Sequence, residues 1–345
     1  MRLKTLLLVF FFWTSLSVSA NTFTSTEISG LKMQYITYNV WSDDYTLKVA
    51  VSEKATTLTS LARDYNGISG INGAFFCPAD YSACWGVSHT INERFVNGED
   101  LSFYTDTGDR AIFWWDSDGV PLLHQTGKIN PDDREGIYEW LWNFPILFAD
   151  GKNMVEIYHD NWLYDNKMKA ALPRNFICSN KEKDWIIFGR THSTSLDSLA
   201  PVLFELWCWD ALNLDAGNSS KFIYNWRDLI SSGRDILDGV VVEHKDINVR
   251  EIESNIDHIM TILTPQFKKL RKSKALTQLD TIMKRISYLR NEIYDTHSQD
   301  IFDSSGINIG YTLDVKDAKS LKQVYNLNIL EKKINHLIWV IKNDL

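Results

Sequence analysis

The stretch ALNLDAGNSS, Ala211 to Ser220, decides how this chain is read. Leu212 and Leu214 alternate with Asn213 and Asp215, a period of two that predicts a strand with the leucines on one face and the amide and carboxylate on the other. The strand runs into Ala216, Gly217 and Asn218, a composition that frees backbone N–H groups, and then into two hydroxyls, Ser219 and Ser220. A carboxylate delivered to the end of a buried strand beside a small-residue turn is how a rigid scaffold presents a reactive group. The same pattern also fits an Asx-type turn whose Asp merely closes the strand end.

Upstream of this stretch the pattern is of strands. LKMQYITYNVW and YTLKVAVSE, within residues 31–53, flank the polar turn Ser42-Asp43-Asp44. Gly67 to Phe76 gives a third run, in which Gly67, Gly70 and Gly73 predict close backbone approach. Short strands are expected at 111–115, 120–124 and 146–148, with turns at Asp116-Ser117-Asp118-Gly119 and Asp150-Gly151. The first of these turns lacks the remaining positions of a calcium loop and reads as a hairpin turn. A strand pair is expected at 175–179 and 185–189. An amphipathic helix then opens near Asp197, capped by Thr194 or Ser195, burying Leu199, Val202, Leu203 and Leu206 and carrying an awkward Pro201. Many strands with one helix segregated among them predict an α+β fold with a largely antiparallel sheet.

Beyond Val242 the texture changes. Val249 to Leu270, Leu276 to Ile293 and Leu321 to Ile341 place apolar residues at three- and four-residue steps, which predicts three amphipathic helices. The chain therefore divides into 1–20, 21–245 and 246–345, the last an all-α bundle or coiled coil. That extension is either a self-contained cap on the first domain or an arm for a protein partner or self-association.

The 345 residues carry 44% hydrophobic and 13% aromatic side chains, enough for a sizeable core. The net charge of −8, with no basic groove in view, argues against nucleic acid as a partner. The acidity is uneven: the last hundred residues hold 15 basic against 13 acidic side chains, leaving 21 against 31 for the rest. Arg2 and Lys4 precede an apolar run to Trp13, and Val18-Ser19-Ala20 is a small-residue cleavage site, so residues 1–20 read as a signal for secretion or a periplasm. An oxidising compartment makes disulfides the expected state of the four cysteines. Cys77 and Cys84 are close in sequence, with Cys178 and Cys208 as the natural second pair. Four cysteines admit three connectivities, and the sequence leaves the choice open. Neither these cysteines nor His89, His124, His159 and His192 fall in a metal-ligand spacing, so no metal and no cofactor are expected.

Three segments in order, GINGAFF (Gly70 to Phe76), LPRNFIC (Leu172 to Cys178) and SLDSLAPVLFELWCWDALNLDAGNSS (Ser195 to Ser220), resemble the phosphodiester glycosidase family. The resemblance covers roughly residues 30 to 245 and leaves the helical extension outside. It departs from the family pattern at Ala216 and Asn218, where glycines are usual. It implies hydrolysis of a sugar–phosphate linkage at the glycosidic carbon, in an envelope glycan or exopolysaccharide. A departing phosphate monoester is a stable anion, so the site needs anion-stabilising donors and a well-placed carboxylate more than a strong acid. The resemblance assigns that carboxylate to Asp215, as base for water or support for an oxocarbenium, and the best donor to Arg174. Gly217 in the turn, Ser219 and Ser220 would add donors, and Asn72 and Asn213 would orient sugar hydroxyls or Asp215 itself. Phe75 and Phe76 are candidates for a sugar wall. The usual glycosidase scheme wants two carboxylates; Asp80 and Asp109 are the candidates for a second. The alternative reading is a non-catalytic carbohydrate- or cell-wall-binding protein on the same fold.

Overall fold

A computed structural model describes residues 21–91, 94–96, 99–100, 111–125, 137–160, 164–230, 233–302, 308–313 and 318–344. The segment 1–20 that reads as an export signal and Asp109 lie outside these residues. Among the described residues no helix is long and apolar enough to cross a membrane.

The architecture is α+β, with antiparallel sheets and a helical C-terminal region. The strand Asp210–Leu214 lies inside a nine-stranded sheet, between Ile146–Ala149 and Leu172–Ser179. The ladder continues through Trp185–Thr194, Leu31–Asn39 and Asn21–Ile28. All five residues from Asp210 to Leu214 are buried, so the expected polar face is covered as well as the leucine face. Leu212 and Leu214 are fully enclosed, which stabilises the strand by roughly 1.5–3 kcal/mol each. Asn213 is held there by the neighbouring segment: Asn143 Nδ2 donates to its backbone carbonyl, and its own side-chain N–H donates to the Phe144 carbonyl.

A second sheet of five strands has Gly67–Asn72 at its centre, between Phe222–Tyr224 and Ile236–His244. Its glycines are dictated by packing. A Cβ at Gly70 would lie 2.7 Å from the Val240 carbonyl oxygen, and one at Gly73 would lie 2.6 Å from Asp238 Oδ1. A third sheet carries Ala111–Asp116 and Pro121–Gln125; in the turn joining them Asp116 Oδ1 accepts from the amides of Asp118 and Val120, both at 2.9 Å.

Helix α1 is Leu58–Asp64, α2 Asn166–Lys169 and α3 Leu196–Glu205. Ser195 caps α3 by accepting from the Ser198 amide, and Pro201 sits inside the helix without ending it. The buried stripe of α3 is Leu196, Leu199, Ala200, Val202 and Leu203. Helices α4 (Val249–Lys268), α5 (Lys272–His297) and α6 (Ala318–Asp344) follow the apolar steps of the sequence. Between α5 and α6 the chain forms a hairpin, Ser298–Phe302 with Asn308–Leu313, which joins the large sheet through Phe23 opposite Leu313. Periodicity gave no sign of this hairpin, because its pairing partner lies almost three hundred residues away.

Two disulfides close the cysteine question. Cys77 bonds Cys84 and Cys178 bonds Cys208. The second ties the strand Leu172–Ser179 to the segment that leads from α3 into Asp210–Leu214. The first closes a short loop beside the hairpin of Phe76–Cys77 with His89–Thr90.

Candidate active site

Asp215 follows the last residue of its strand, and its backbone is held from three sides. Its amide donates to the Gly73 carbonyl at 2.8 Å. Its carbonyl accepts from Asn72 Nδ2 at 2.7 Å and from Asn175 Nδ2 at 2.9 Å. The two amides are locked to each other, Asn175 Nδ2 to Asn72 Oδ1 at 2.7 Å, and Asn72 Oδ1 also accepts from the Lys221 amide. Ser220 Oγ completes the set by donating to Asn175 Oδ1 at 3.0 Å. Such a satisfied buried network specifies one backbone position, because any slip strands several polar groups away from water.

The Asp215 side chain is partly exposed and lines a cleft of about 510 Å³. Burial pushes its carboxyl up to about 7; the neighbouring Asp238 adds to the rise, while hydrogen bonds from the Ser219 hydroxyl and the Ala216 amide, with the Arg234 charge, offset part of it. Asp238 is buried against the Gly73–Ala74 segment that binds the Asp215 amide, its Oδ1 accepting from the Ala74 amide at 2.7 Å. A second carboxylate thus lies behind the cleft wall rather than in it: Gly73, lacking a side chain, lets Asp238 approach close enough for its charge to act on Asp215.

The turn after Asp215 is a single tight 3₁₀ coil, Gly217–Ser219, with Gly217 at φ +61°. Its amides are largely committed: Ala216 to the Asp215 carboxylate, Ser219 to the Ala216 carbonyl and Ser220 to the Gly217 carbonyl. Gly217 and Ser219 line the cleft with Asp215. Ser220, Asn72 and Asn213 do not. They are buried behind it, with the Asn213 amide donating to the Phe144 carbonyl at 2.9 Å. Asn72 therefore orients Asp215 through the backbone and leaves no free amide for a sugar hydroxyl.

Arg174 reaches the cleft wall, but its guanidinium is occupied. Nε donates to the Thr194 carbonyl at 3.2 Å, and one terminal nitrogen donates to the carbonyls of Lys167, Met168 and Ala170 at 2.7–2.8 Å. These carbonyls belong to the last turn of α2, where a cation is favoured. Asp165 caps the other end of α2, accepting from the amides of Lys167 and Met168. Arg174 thus anchors the short helix that carries Lys167. Burial lowers its pKa, and Tyr164 and Asp165 partly restore it.

The remaining walls are aromatic and cationic. Phe75, Phe76, Tyr81 and Phe144 face the cleft with Lys167 and Arg234. Phe76 is almost fully buried and Phe75 is only partly so, which leaves Phe75 the larger open surface. Asp80 lies at the rim and pairs with Arg234 at 3.0 Å. Among the described residues no group of three or more His, Cys, Asp or Glu side chains is placed to hold a metal ion.

No family model and no curated protein matches the chain. Solved structures do. The chain shares its fold with the zebrafish N-acetylglucosamine-1-phosphodiester alpha-N-acetylglucosaminidase catalytic domain auto-inhibited by pro-peptide. That similarity has a TM-score of 0.51 at 14% identity and covers 65% of this chain and 83% of the zebrafish one. A hypothetical protein from Synechocystis aligns with a TM-score of 0.47 and 13% identity over 64% of this chain; only 61% of that protein's length is spanned. The relationship is distant and is one of fold.

Four residues of this site escaped the sequence reading. Asp238 had a signal, a lone acid inside the apolar run ILDGVVV at 236–242, which only a buried and engaged carboxylate explains. Asn175 stands beside Arg174 in LPRNFIC, where an amide within a strand carries no local signal of a buried network. Arg234 and Lys167 sit in ordinary polar turns, and nothing local separates them from solvated surface charges.

Proposed function

We propose that this protein is an exported hydrolase that cleaves the glycosidic bond of a sugar-1-phosphodiester in an envelope glycan or exopolysaccharide. The observation that carries the reading is the Asp215 carboxyl, raised to about 7, on the wall of a cleft that also presents aromatic rings and cations. A cleft of about 510 Å³ is in the size range of small-ligand sites. Aromatic rings suit sugar faces, and cations suit a phosphodiester. The fold shared with a protein named as a phosphodiester glycosidase supports the same substrate class, and the two disulfides fit an oxidising compartment.

In this reading water attacks the anomeric carbon as the bond from that carbon to the phosphate oxygen breaks. The phosphate monoester leaves with the electron pair, and the proton of the attacking water passes to the Asp215 carboxylate. A base near 7 is matched to neutral pH, and the Asn72–Asn175 pair holds its backbone in place through the Asp215 carbonyl. Ser219 donates to the carboxylate and fixes its rotamer.

A panel of alkyl glycosyl-1-phosphodiesters, assayed for released sugar, tests the proposal. Turnover that Asp215→Asn abolishes supports it. Absence of turnover with measurable binding favours the second reading, a non-catalytic glycan-binding protein. That reading draws on Arg174, one of whose terminal nitrogens already serves α2 rather than a ligand.

A further inference from the structure

Tyr81 stands in the loop closed by Cys77 and Cys84, and two cations share its ring. Lys167 Nζ lies 5.2 Å and the Arg234 guanidinium carbon 4.9 Å from the ring centroid. Each cation is delivered by a different device. Lys167 rides on α2, which Arg174 and Asp165 hold at its two ends. Arg234 is delivered by the turn after Asp215: its amide donates to the Asn218 carbonyl at 2.8 Å. Gly233 makes that approach possible, since a Cβ there would lie 2.1 Å from the Asn218 oxygen and its φ is +106°.

The Arg234 head group is incompletely used. One terminal nitrogen donates to Asp80 at 3.0 Å, while Nε is buried with no hydrogen-bond partner among the described residues. Nε and that terminal nitrogen form the edge of a guanidinium that takes two oxygens of one oxyanion. Asp80 engages half of that edge from a side chain 63% exposed, against 20% for Arg234. An exposed carboxylate making one bond where two are offered is a weak occupant.

We propose that Arg234 and Lys167, gathered around Tyr81, form an anion subsite at the mouth of the cleft for the phosphate of the ligand, and that Asp80 is an internal counter-ion the ligand displaces. The inference deepens the glycosidase reading and rests on it for the sugar attached to that phosphate. It makes Arg174 a positioning residue that acts through Lys167. It also places the bound anion beside Asp215, whose proton affinity already responds to the Arg234 charge. Two carboxylates, Asp165 and Asp215, line the same cleft; the first is engaged as the α2 cap, and the second faces the reacting end.

Calorimetric titration of the mature protein with inorganic phosphate, and separately with a methyl glycosyl-1-phosphodiester, tests this. Asp80→Asn should tighten binding of both by about fivefold, and Arg234→Gln should weaken it by about tenfold or more, the scale of one lost charge-assisted pair. Arg234→Lys should rescue little, since an ammonium lacks the two-donor edge, and Lys167→Met should weaken binding with kcat changed less than KM. Unchanged or weaker binding in Asp80→Asn overturns the counter-ion, and it decides the matter even if Arg234→Gln disturbs its loop. Affinity for phosphate that follows this pattern without any turnover upholds the subsite and sinks the glycosidase. Turnover that depends on Asp215 while KM ignores Arg234, Lys167 and Asp80 does the reverse.

Discussion

Replacing Asp215 with Asn should make the protein more stable at alkaline pH and inactive at every pH. The folded carboxyl holds its proton up to about pH 7, while in the unfolded chain it would lose it near 3.8. Between those values the folded state binds more protons, so stability falls as pH rises from about 4 to about 7, and the penalty is complete above. The difference between 3.8 and about 7 corresponds to about 4 kcal/mol. One edge of the carboxyl opens to cleft water, which screens the charge and brings the expected penalty to roughly 2 kcal/mol. Asparagine keeps the acceptor for the Ala216 amide and removes the charge. Urea unfolding of wild type and Asp215→Asn at pH 4 and pH 8.5 reads the effect as midpoints at constant m value. The variant should match wild type at pH 4 and exceed it by roughly 2 kcal/mol at pH 8.5. Equal stability at pH 8.5, or a loss there, refutes the claim that the carboxylate is held against its solvation. Wild-type turnover should rise as pH passes about 7 and then level, since the base works deprotonated.

Other expectations follow from the same geometry. Arg174→Ala frees α2 and strands its carbonyls, so it should lower stability by about 2–4 kcal/mol, with Arg174→Lys restoring only part; a change in KM with unaltered melting would contradict the anchoring role. Asn72→Ala removes one support of the Asp215 carbonyl and should cost about 1–3 kcal/mol and lower kcat more than it raises KM, read by calorimetric melting and steady-state kinetics. Loss of the Cys178–Cys208 bond, in the double Ser variant, should cost about 3–4 kcal/mol for a closed loop of this length; unfolding curves that coincide with wild type would argue against it. Self-association through the helical extension, where Ile259, Ile262, Tyr288 and Trp339 stay exposed, should weaken in Ile262→Lys with Trp339→Lys; sedimentation velocity that does not change between wild type and variant removes the idea.

How far the fold can be read in advance depends on the range of the forces involved. Strand alternation, helical steps and glycine placement are local, and they located Asp210–Leu214, the close-packed Gly70, and the three C-terminal helices. The hairpin between α5 and α6 was not legible, because a short strand takes its meaning from the edge it joins. The same holds for the fate of individual polar groups. Asn72 and Asn213 belong to similar motifs, yet one supports the Asp215 carbonyl and the other the Phe144 carbonyl, a difference set by the backbones that arrive beside them.

By itself the sequence determined that a carboxylate would stand at the tip of a buried apolar strand and turn, that the fold would be α+β with helices at its end, and that four cysteines were available for pairing. Only the tertiary structure decided what surrounds that carboxylate. Asn72 lies 143 residues from Asp215 in the chain and touches it, Asp238 packs against Gly73 and Ala74, and Arg234 is placed by a bond to Asn218. Burial and the Asp238 charge lift the carboxyl to about 7 against the opposing pull of Arg234, and no window of neighbouring residues contains that information.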